Sequence, residues 1–249
     1  RRGFGPSIIL NLKQKQMGKE EAKLQIMKPF GPKILKVELP DLITNKLISI
    51  TDEMFEDENK KSYGENLVGQ IKCEIEIDQK VLHENNLYDF FKQCLYAYIN
   101  ACLKDLYVFD ENSHIINCDI TDMWFNEMKP GGEYNPAHYH TNCLVSSTLF
   151  LKVPDNRPTR DINNKSDKDG HLEFLDKSVS PDYLQRGQML VKPKVGDMYL
   201  WPSSLLHTVY PFLGNEIRRS IAWNGTYQFI KKETNSVIAG LRPWTINKK

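Results

Sequence analysis

Residues 115–153 read IINCDITDMWFNEMKPGGEYNPAHYHTNCLVSSTLFLKV, and their pattern decides the fold. Three runs in this stretch, Ile115–Ile120, Met123–Met128 and Leu144–Val153, are rich in β-branched, aromatic and other apolar residues. Clusters of Gly, Pro, Asn and Thr separate the last two runs. Short apolar runs bounded by such turn-forming residues are typical of β-strands. The stretch therefore predicts three strands.

Five further runs of the same kind follow, again divided by Gly, Pro, Asn and Asp. They are Leu172–Leu175, Gln188–Val191, Asp197–Trp201, Thr208–Phe212 and Arg218–Tyr227. About eight short strands with turn signals between them favour an antiparallel sandwich or a jelly-roll barrel.

The residues before this region have a different pattern of apolar and polar residues. Ile34–Leu39 alternates and predicts a strand, whereas Leu42–Glu56 carries apolar residues at helical spacing. The strongest helix signal is Asn85–Leu106, whose wide apolar stripe is suited to packing on a sheet and whose N-cap is Asn85 or Asn86. The sequence therefore predicts helices first and a β-barrel afterwards, within one α+β domain.

The boundaries of this arrangement follow from composition. Residues 1–26 lack the features of a secretory signal and are expected to be a flexible extension or a cloning remnant. Residues 27–114 form the helical support with its early strand, 115–230 the barrel, and 231–249 a C-terminal tail. The polar stretch Asp155–Gly170 is long for a loop inside a compact domain, and we expect either a lid over a site or a disordered segment.

Composition excludes several classes of function. The chain has 249 residues, with 33 Lys and Arg against 32 Asp and Glu, so its near-zero net charge favours neither nucleic acid nor an anionic membrane as partner. The mean hydropathy of −0.51 and the short apolar runs predict no membrane span. The five cysteines are scattered without a CxxC pair, which is typical of reduced thiols in a cytoplasmic protein.

Three of the six histidines are candidates for a metal site. His138 and His140 are two residues apart, and residues at i and i+2 of a strand share a face, so both imidazoles can point at one spot. His207 follows 67 residues after His140, and a jelly-roll can bring such a distant strand beside the first. Taken alone, an HxH pair also suits a solvated strand face.

Several motifs in a fixed order make the pattern more specific. Gly131-Gly132-Glu133-Tyr134 precedes His138-x-His140, and Gly196-Asp197 opens a later strand. Trp201-Pro-Ser-Ser-Leu-Leu-His207-x-Val-x-Pro211 and Arg218-x-Ser220-Ile-Ala-Trp-Asn224 complete the series. Over about Ile115–Tyr227 the chain resembles the Fe(II)- and 2-oxoglutarate-dependent dioxygenases. Within them it resembles the prolyl-hydroxylase-like branch, which is common in bacterial viruses and marine bacteria.

The resemblance implies a double-stranded β-helix (jelly-roll) fold, with Fe(II), 2-oxoglutarate and O₂ as reagents. It maps the metal ligands onto His138, His140 and His207, where the family pattern is H-x-D/E followed by a distant His. A histidine at the carboxylate position departs from the family pattern and leaves the metal site one charge unit more positive than a set of two histidines and a carboxylate. Either His140 is the third ligand, which the i, i+2 geometry favours, or a carboxylate such as Glu173 or Asp176 completes the site.

A 2-oxoglutarate site needs a partner for the distal carboxylate. The planar fork of an arginine suits it, and a hydroxyl two residues along a strand faces the same way, so Arg218 and Ser220 are the candidates. Arg219 is then expected on the opposite face. Asn126, on the strand before the Gly-Gly turn, is a further candidate for cosubstrate binding near the metal.

The predicted function is hydroxylation of an unactivated C–H bond, most simply in a prolyl or other amino-acid residue, with release of succinate and CO₂. The expected partners are a small-molecule cosubstrate and a peptide or amino-acid substrate. The expected location is the cytoplasm, or the host-cell cytoplasm if the protein is viral. Two alternatives remain. One is a cupin-type metal enzyme without 2-oxoglutarate, although the carboxylate expected shortly after HxH is missing; the other is a non-catalytic jelly-roll binding or structural module.

Overall fold

The computed structural model describes residues 8–9, 23–27, 31–106, 110, 112–154, 168–176 and 187–240, and all structural statements below concern these residues. The helices are α1 (Asp41–Glu56), α2 (Gln79–Glu84) and α3 (Tyr88–Leu106), with a short 3-10 turn at Gly64–Asn66. The strands are β1 (Ile8–Ile9), β2 (Lys23–Met27), β3 (Ile34–Glu38), β4 (Cys73–Glu76), β5 (His114–Met128), β6 (Asn135–His138), β7 (Val145–Lys152), β8 (Leu172–Leu175), β9 (Gln188–Val191), β10 (Asp197–Pro202), β11 (Leu206–Val209), β12 (Arg218–Lys231) and β13 (Ser236–Gly240).

The strands form two antiparallel sheets. The larger has the order β1-β2-β3-β10-β7-β12-β5-β4, with β13 paired to β12, and the smaller has the order β6-β11-β8-β9. Several neighbouring strands, such as β3 and β10, β7 and β12, and β6 and β11, are distant in the chain, as the crossovers of a jelly-roll require. The fold is a double-stranded β-helix supported by N-terminal helices, so the predicted α+β fold class is confirmed.

Two hydrophobic cores hold the layers together. The first lies between the helices and the outer face of the large sheet, where Phe91, Leu95 and Tyr98 of α3 join Phe125 of β5 and Trp223 of β12. The second lies between the two sheets and is formed by residues from both, among them Met128, Phe150, Leu172, Phe174, Trp201 and Val209. The helices thus seal one face of the large sheet and leave its other face to the inside of the barrel.

Strand β12 separates these two environments residue by residue. Side chains of successive residues in a strand point to opposite faces. Ile221 and Trp223 therefore belong to the helix-facing core, while Arg218, Ser220 and Asn224 face the inside of the barrel and line its cavity. The polar residues of this strand are buried because they face a cavity and not solvent.

The observed elements differ from the predicted ones at three places. The runs Ile115–Ile120 and Met123–Met128 belong to one strand, β5, with an irregularity where Asn224 pairs with Asp122 and Gly225 with Ile120. There the long helix comes so close that a Cβ on Gly225 would lie 2.8 Å from Leu95 Cδ2, which explains the glycine.

The second and third differences are at element ends. Helix α3 begins at Tyr88, because Asn85 ends α2 and Asn86 has a φ of 57°. Strand β11 spans Leu206–Val209 and not Thr208–Phe212, which places His207 inside the strand.

The chain ends add strands to the large sheet. Strand β2 crosses the predicted boundary at residue 26, since Lys23–Met27 pairs with β3 along its whole length. Strand β13 likewise lies in the predicted tail 231–249 and pairs with β12. Most of the polar stretch expected to be a lid or a disordered segment, residues 155–167, lies outside the described residues. In the part of the chain that is described, no helix is long and apolar enough to cross a membrane.

A buried ion-pair network fastens α1 to the large sheet. Arg219, 2% exposed, donates through Nε to Glu127 at 2.9 Å and through Nη1 to Asp52 at 2.5 Å and Thr51 at 3.2 Å. It points away from the barrel interior, as expected for the residue after Arg218. Arg219 is therefore bound by residues that stabilise the fold, and it does not line the cavity.

We expect Glu127→Gln to destabilise the fold by about 3 kcal/mol, because the buried guanidinium loses one of its two carboxylate partners. The matched control is Glu84→Gln, which breaks the exposed Lys80–Glu84 pair and should change stability by less than about 0.5 kcal/mol. Urea unfolding of the three proteins measures both values. Equal stability of the two variants would show that the buried pair of Arg219 and Glu127 does not stabilise the fold.

Candidate metal centre and adjoining cavity

Three imidazoles meet at one end of the barrel. His138 is the last residue of β6 and pairs with His207 of β11, while His140 lies two residues beyond the end of β6. One ring nitrogen from each histidine lies within 4.8 Å of those of the other two. The sequence argument assumed a strand continuing through both residues of the HxH pair. In the structure His140 is instead placed by its own contacts, including a backbone hydrogen bond to Ser203 O at 3.0 Å.

Each imidazole is held by a hydrogen bond at its Nδ1 atom. The acceptors are Pro136 O for His138 (2.7 Å), Asn224 Oδ1 for His140 (2.7 Å) and Leu205 O for His207 (3.0 Å). A carbonyl oxygen only accepts, so in each ring Nδ1 carries the proton and Nε2 keeps its lone pair. Partners of this kind fix the tautomer and the orientation of histidines that bind metals.

The three rings are neutral at physiological pH. Burial lowers the pKa of His138, lowers that of His140 to about 4, and lowers that of His207 well below its ordinary value. At His140 the hydrogen bond to Asn224 and the charge of Asp122 act in the opposite direction, but they do not offset the loss of water. Three neutral nitrogens facing one point can bind a divalent transition metal without first losing a proton.

Asn224 is a site residue for which the sequence suggested no role. Its Oδ1 accepts from His140 Nδ1 and also from Ser146 Oγ at 3.2 Å, and the residue is 7% exposed. The alternation of side chains along β12 could have identified Asn224, because this residue shares a face of the strand with Arg218 and Ser220. The strand that carries the predicted cosubstrate residues thus also orients one of the three imidazoles.

The two carboxylates considered as alternatives to His140 lie elsewhere. Glu173 precedes Phe174, whose ring faces His207, so the side chain of Glu173 points to the opposite face of β8. There it pairs with Lys168 at 2.9 Å and with the hydroxyl of Tyr210. Asp176 lines a separate depression at the surface. Among the described residues, only the three histidines form the cluster.

A cavity of about 800 Å³ extends from the imidazoles into the space between the sheets. Arg218 and Ser220, each 2% exposed, line it together with Asn126, so the structure brings the predicted cosubstrate residues into the same cavity as the histidines. Arg218 Nη1 donates to Ser220 Oγ at 3.3 Å, and its guanidinium carbon lies 5.0 Å from the centre of the Phe150 ring. These contacts hold a planar cationic group in a region of the cavity that is otherwise largely apolar.

Several polar atoms on the cavity wall have no hydrogen-bond partner among the described residues. They are Glu74 Oε1, Trp124 Nε1, Asn126 Oδ1, Ser147 Oγ and Trp201 Nε1. Buried polar atoms are nearly always paired in folded proteins, and unpaired ones mark places where a polar ligand or water completes the bonding. The cavity is therefore suited to a polar ligand.

Two carboxylates face the same cavity. Asp122 lies near His140 and hydrogen-bonds the hydroxyl of Tyr63. Glu74, 4% exposed, has its pKa raised to about 7, first by burial and then by the charge of Glu133. Sequence reasoning missed both, because neither stands in a motif with the histidines.

The comparison with protein families agrees with this geometry. The family described as "Putative 2OG-Fe(II) oxygenase" matches residues 122–224, which run from the cavity face of β5 to Asn224. The chain is similar to this family over that segment. Proteins of this family use Fe(II), 2-oxoglutarate and O₂, and the matched segment contains all three histidines together with Arg218 and Ser220. A search of curated proteins found no significant match to the sequence.

Solved structures similar to the chain include two prolyl hydroxylases and a protein with nickel and 2-oxoglutarate bound. A prolyl-4-hydroxylase from Pseudomonas putida has 19% identity and a TM-score of 0.46, over 75% of this chain and 88% of its own. A prolyl hydroxylase from Trichoplax adhaerens, in complex with a hypoxia inducible factor peptide, has 14% identity and a TM-score of 0.48, over 81% and 82%. HygX from Streptomyces hygroscopicus, with nickel and 2-oxoglutarate bound, has 11% identity and a TM-score of 0.44, over 77% and 81%. These TM-scores are low, and the fold description rests on the strand order and register given above.

We expect Asn224→Ala to weaken metal binding by about 10- to 100-fold, because the Nδ1–H of His140 loses its acceptor and the ring loses its fixed orientation. Asn224→Asp keeps an acceptor at this place and adds a negative charge, so it should bind metal within a few-fold of the wild-type protein. Titration with Co(II), followed by its d–d absorption, measures the affinity without turnover.

The control for this experiment is Asn117→Ala, an exposed asparagine on the far part of β5. An Asn224→Ala affinity equal to that of the control would mean that Asn224 does not position His140. An Asn224→Asp affinity as low as that of Asn224→Ala would have the same meaning.

Proposed function

We propose that the protein is an Fe(II)- and 2-oxoglutarate-dependent dioxygenase that hydroxylates an unactivated C–H bond. The observation that carries this proposal is the combination in one cavity of three neutral, oriented imidazoles with the buried pair Arg218 and Ser220. A metal site alone would fit many enzymes, and a buried arginine alone would fit many anion sites. The two together suit a metal-bound cosubstrate with a second carboxylate.

His138, His140 and His207 are the residues that would hold the iron, each through Nε2. Imidazole nitrogen is a good ligand for Fe(II), and three protein ligands on one side leave positions for other reagents. All three are neutral, so the site lacks the negative charge of a ligand carboxylate. Asp122 is the nearest described carboxylate with an electrostatic effect on His140, and it would supply a compensating charge through space.

Arg218 and Ser220 would bind the distal carboxylate of 2-oxoglutarate. The guanidinium offers a fixed fork of donors, and Ser220 accepts from Arg218 while its own hydroxyl hydrogen stays available for an anion. Burial of both residues strengthens these interactions because water does not compete. Asn126 pairs with Ser220 across β5 and β12, so its amide would donate to the same ligand.

The protein's part in the reaction is to bind, orient and keep water away. When bound, iron and 2-oxoglutarate supply an oxidising reagent from O₂, with succinate and CO₂ as co-products. Leu172, Trp201 and Val209 line the cavity and exclude water from its buried part. The motif set around the histidines supports an amino-acid residue, with peptidyl proline first, as the substrate.

We expect Fe(II) and 2-oxoglutarate, added together without oxygen, to give a weak visible charge-transfer band that neither reagent gives alone with the protein. Admission of air should then yield succinate. A cupin-type metal enzyme would bind the iron without this band, and a binding module would give neither signal. Absence of both the band and succinate would reject the proposed function.

We expect Arg218→Ala to raise the KM for 2-oxoglutarate by about 100-fold, because two charge-assisted hydrogen bonds of this kind contribute about 3 kcal/mol together. Arg218→Lys keeps the charge but loses the fork, so its KM should lie between those of Arg218→Ala and the wild-type protein. Co(II) affinity measured without 2-oxoglutarate is the control and should stay unchanged in both variants. An unchanged KM in Arg218→Ala would remove this residue from the cosubstrate site.

A further inference from the structure

The cavity carries groups of opposite charge along one wall, the inner face of the large sheet. Its described lining contains one arginine, Arg218, and two carboxylates, Glu74 and Asp122. Glu74, Asn126 and Ser220 lie in one row across the neighbouring strands β4, β5 and β12, so their side chains point to the same face. The proposed cosubstrate carboxylate at Ser220 is therefore only two strands away from the carboxylate of Glu74.

The wall around Glu74 is rich in hydrogen-bond acceptors. Glu74 Oε1 and Asn126 Oδ1 have no partner among the described residues, and these side chains are 4% and 6% exposed. A third acceptor is close, since the point where Gly69 would carry a Cβ is 2.8 Å from Glu74 Oε1 and 2.3 Å from Asn135 Oδ1. A ligand group with several hydrogen-bond donors would satisfy these acceptors together.

The loop of residues 63–69 approaches the carboxylate of Glu74 closely. A Cβ on Gly64 would lie 3.2 Å from Glu74 Oε2, and one on Gly69 would lie 2.8 Å from Oε1, so glycines at both positions let the backbone cover the carboxylate. The backbone N–H of Tyr63 also donates to Glu74 O at 2.8 Å. The carboxylate is thus enclosed between this loop and the cavity, with no Lys or Arg among the described residues on this wall.

A buried carboxylate is stable only when a partner compensates its charge. 2-Oxoglutarate is a dianion, so its binding at Arg218 would increase the repulsion on an ionised Glu74. A cationic group between them would relieve this repulsion and would supply the missing donors. Burial raises the pKa of Glu74 to about 7, and a bound cationic group would stabilise its ionised form.

We propose that the substrate of this enzyme carries a positively charged nitrogen, an ammonium or guanidinium group, that binds to Glu74 with Asn126 and Asn135 beside it. Asp122, nearer the histidines, extends the same negative wall toward the metal. This assignment rests on the proposed dioxygenase function, and among amino-acid residues it favours a cationic one over the neutral peptidyl proline named first above. It concerns recognition, and no residue of this wall takes part in the oxidation.

The test compares probes whose side chains are cationic with neutral counterparts, all blocked at both ends so that the backbone carries no charge. The protein is loaded with Co(II) and 2-oxoglutarate, so that nothing turns over, and is titrated with Nα-acetyl-L-lysine amide against Nα-acetyl-L-norleucine amide and with Nα-acetyl-L-arginine amide against Nα-acetyl-L-citrulline amide. Quenching of the fluorescence of Trp124, which lines the cavity, reports binding, and Trp124→Phe identifies its share of the signal. We expect each cationic probe to bind about 10- to 100-fold more tightly than its neutral counterpart, as for a charge-assisted hydrogen bond.

Glu74→Gln keeps the shape of the side chain and removes its charge, so it should abolish this preference. The matched control is Glu65→Gln, which removes an exposed carboxylate from the same loop and should retain the preference. Equal binding of cationic and neutral probes by the wild-type protein, or a preference that survives Glu74→Gln, would overturn the proposal. The anaerobic charge-transfer band of the wild-type protein separates the two questions: a band without charge preference rejects only the cationic substrate, whereas absence of the band rejects the dioxygenase itself.

Discussion

The pairing of β12 with β5 on one side and β7 on the other is the constraint on which the site depends. Because this strand lies inside the sheet, its position and register are set by hydrogen bonds on both edges. One face of the strand then contributes Ile221 and Trp223 to the core under the helices. The other face places Arg218, Ser220 and Asn224 along the cavity, so a shift of one residue would remove all three from the site at once.

The metal centre depends on hydrogen bonds as much as on the histidines themselves. Two of the three Nδ1 atoms donate to backbone carbonyls within the same short segments, those of Pro136 and Leu205, whereas His140 donates to a side chain 84 residues away. The first two imidazoles are therefore oriented locally, as soon as β6 and β11 pair. The third is oriented only when the large sheet brings Asn224 to it.

The cavity contains local positive and negative groups, although the net charge of the chain is close to zero. The inner face of the large sheet carries a buried arginine on β12 and carboxylates on β4 and β5. Few water molecules screen charges in a buried cavity, so each of these groups would act more strongly on a ligand than it would in solvent. Under the proposed function, a dianion would bind at Arg218 and a cation at Glu74.

The sequence by itself determined the class of the fold and the main residues of the site. The alternating runs predicted most strands of the barrel, and the apolar stripe predicted a helix over Asn85–Leu106, observed at Tyr88–Leu106, because these signals are local. The ordered motifs singled out the three histidines with Arg218 and Ser220, which the structure brings to one cavity. Only the tertiary structure decided that His140, and neither Glu173 nor Asp176, joins the other imidazoles, that Asn224 orients it, and that Glu74 and Asp122 face the cavity. Those facts depend on which strands become neighbours and which side chains lose water, and residues far apart in the chain determine both.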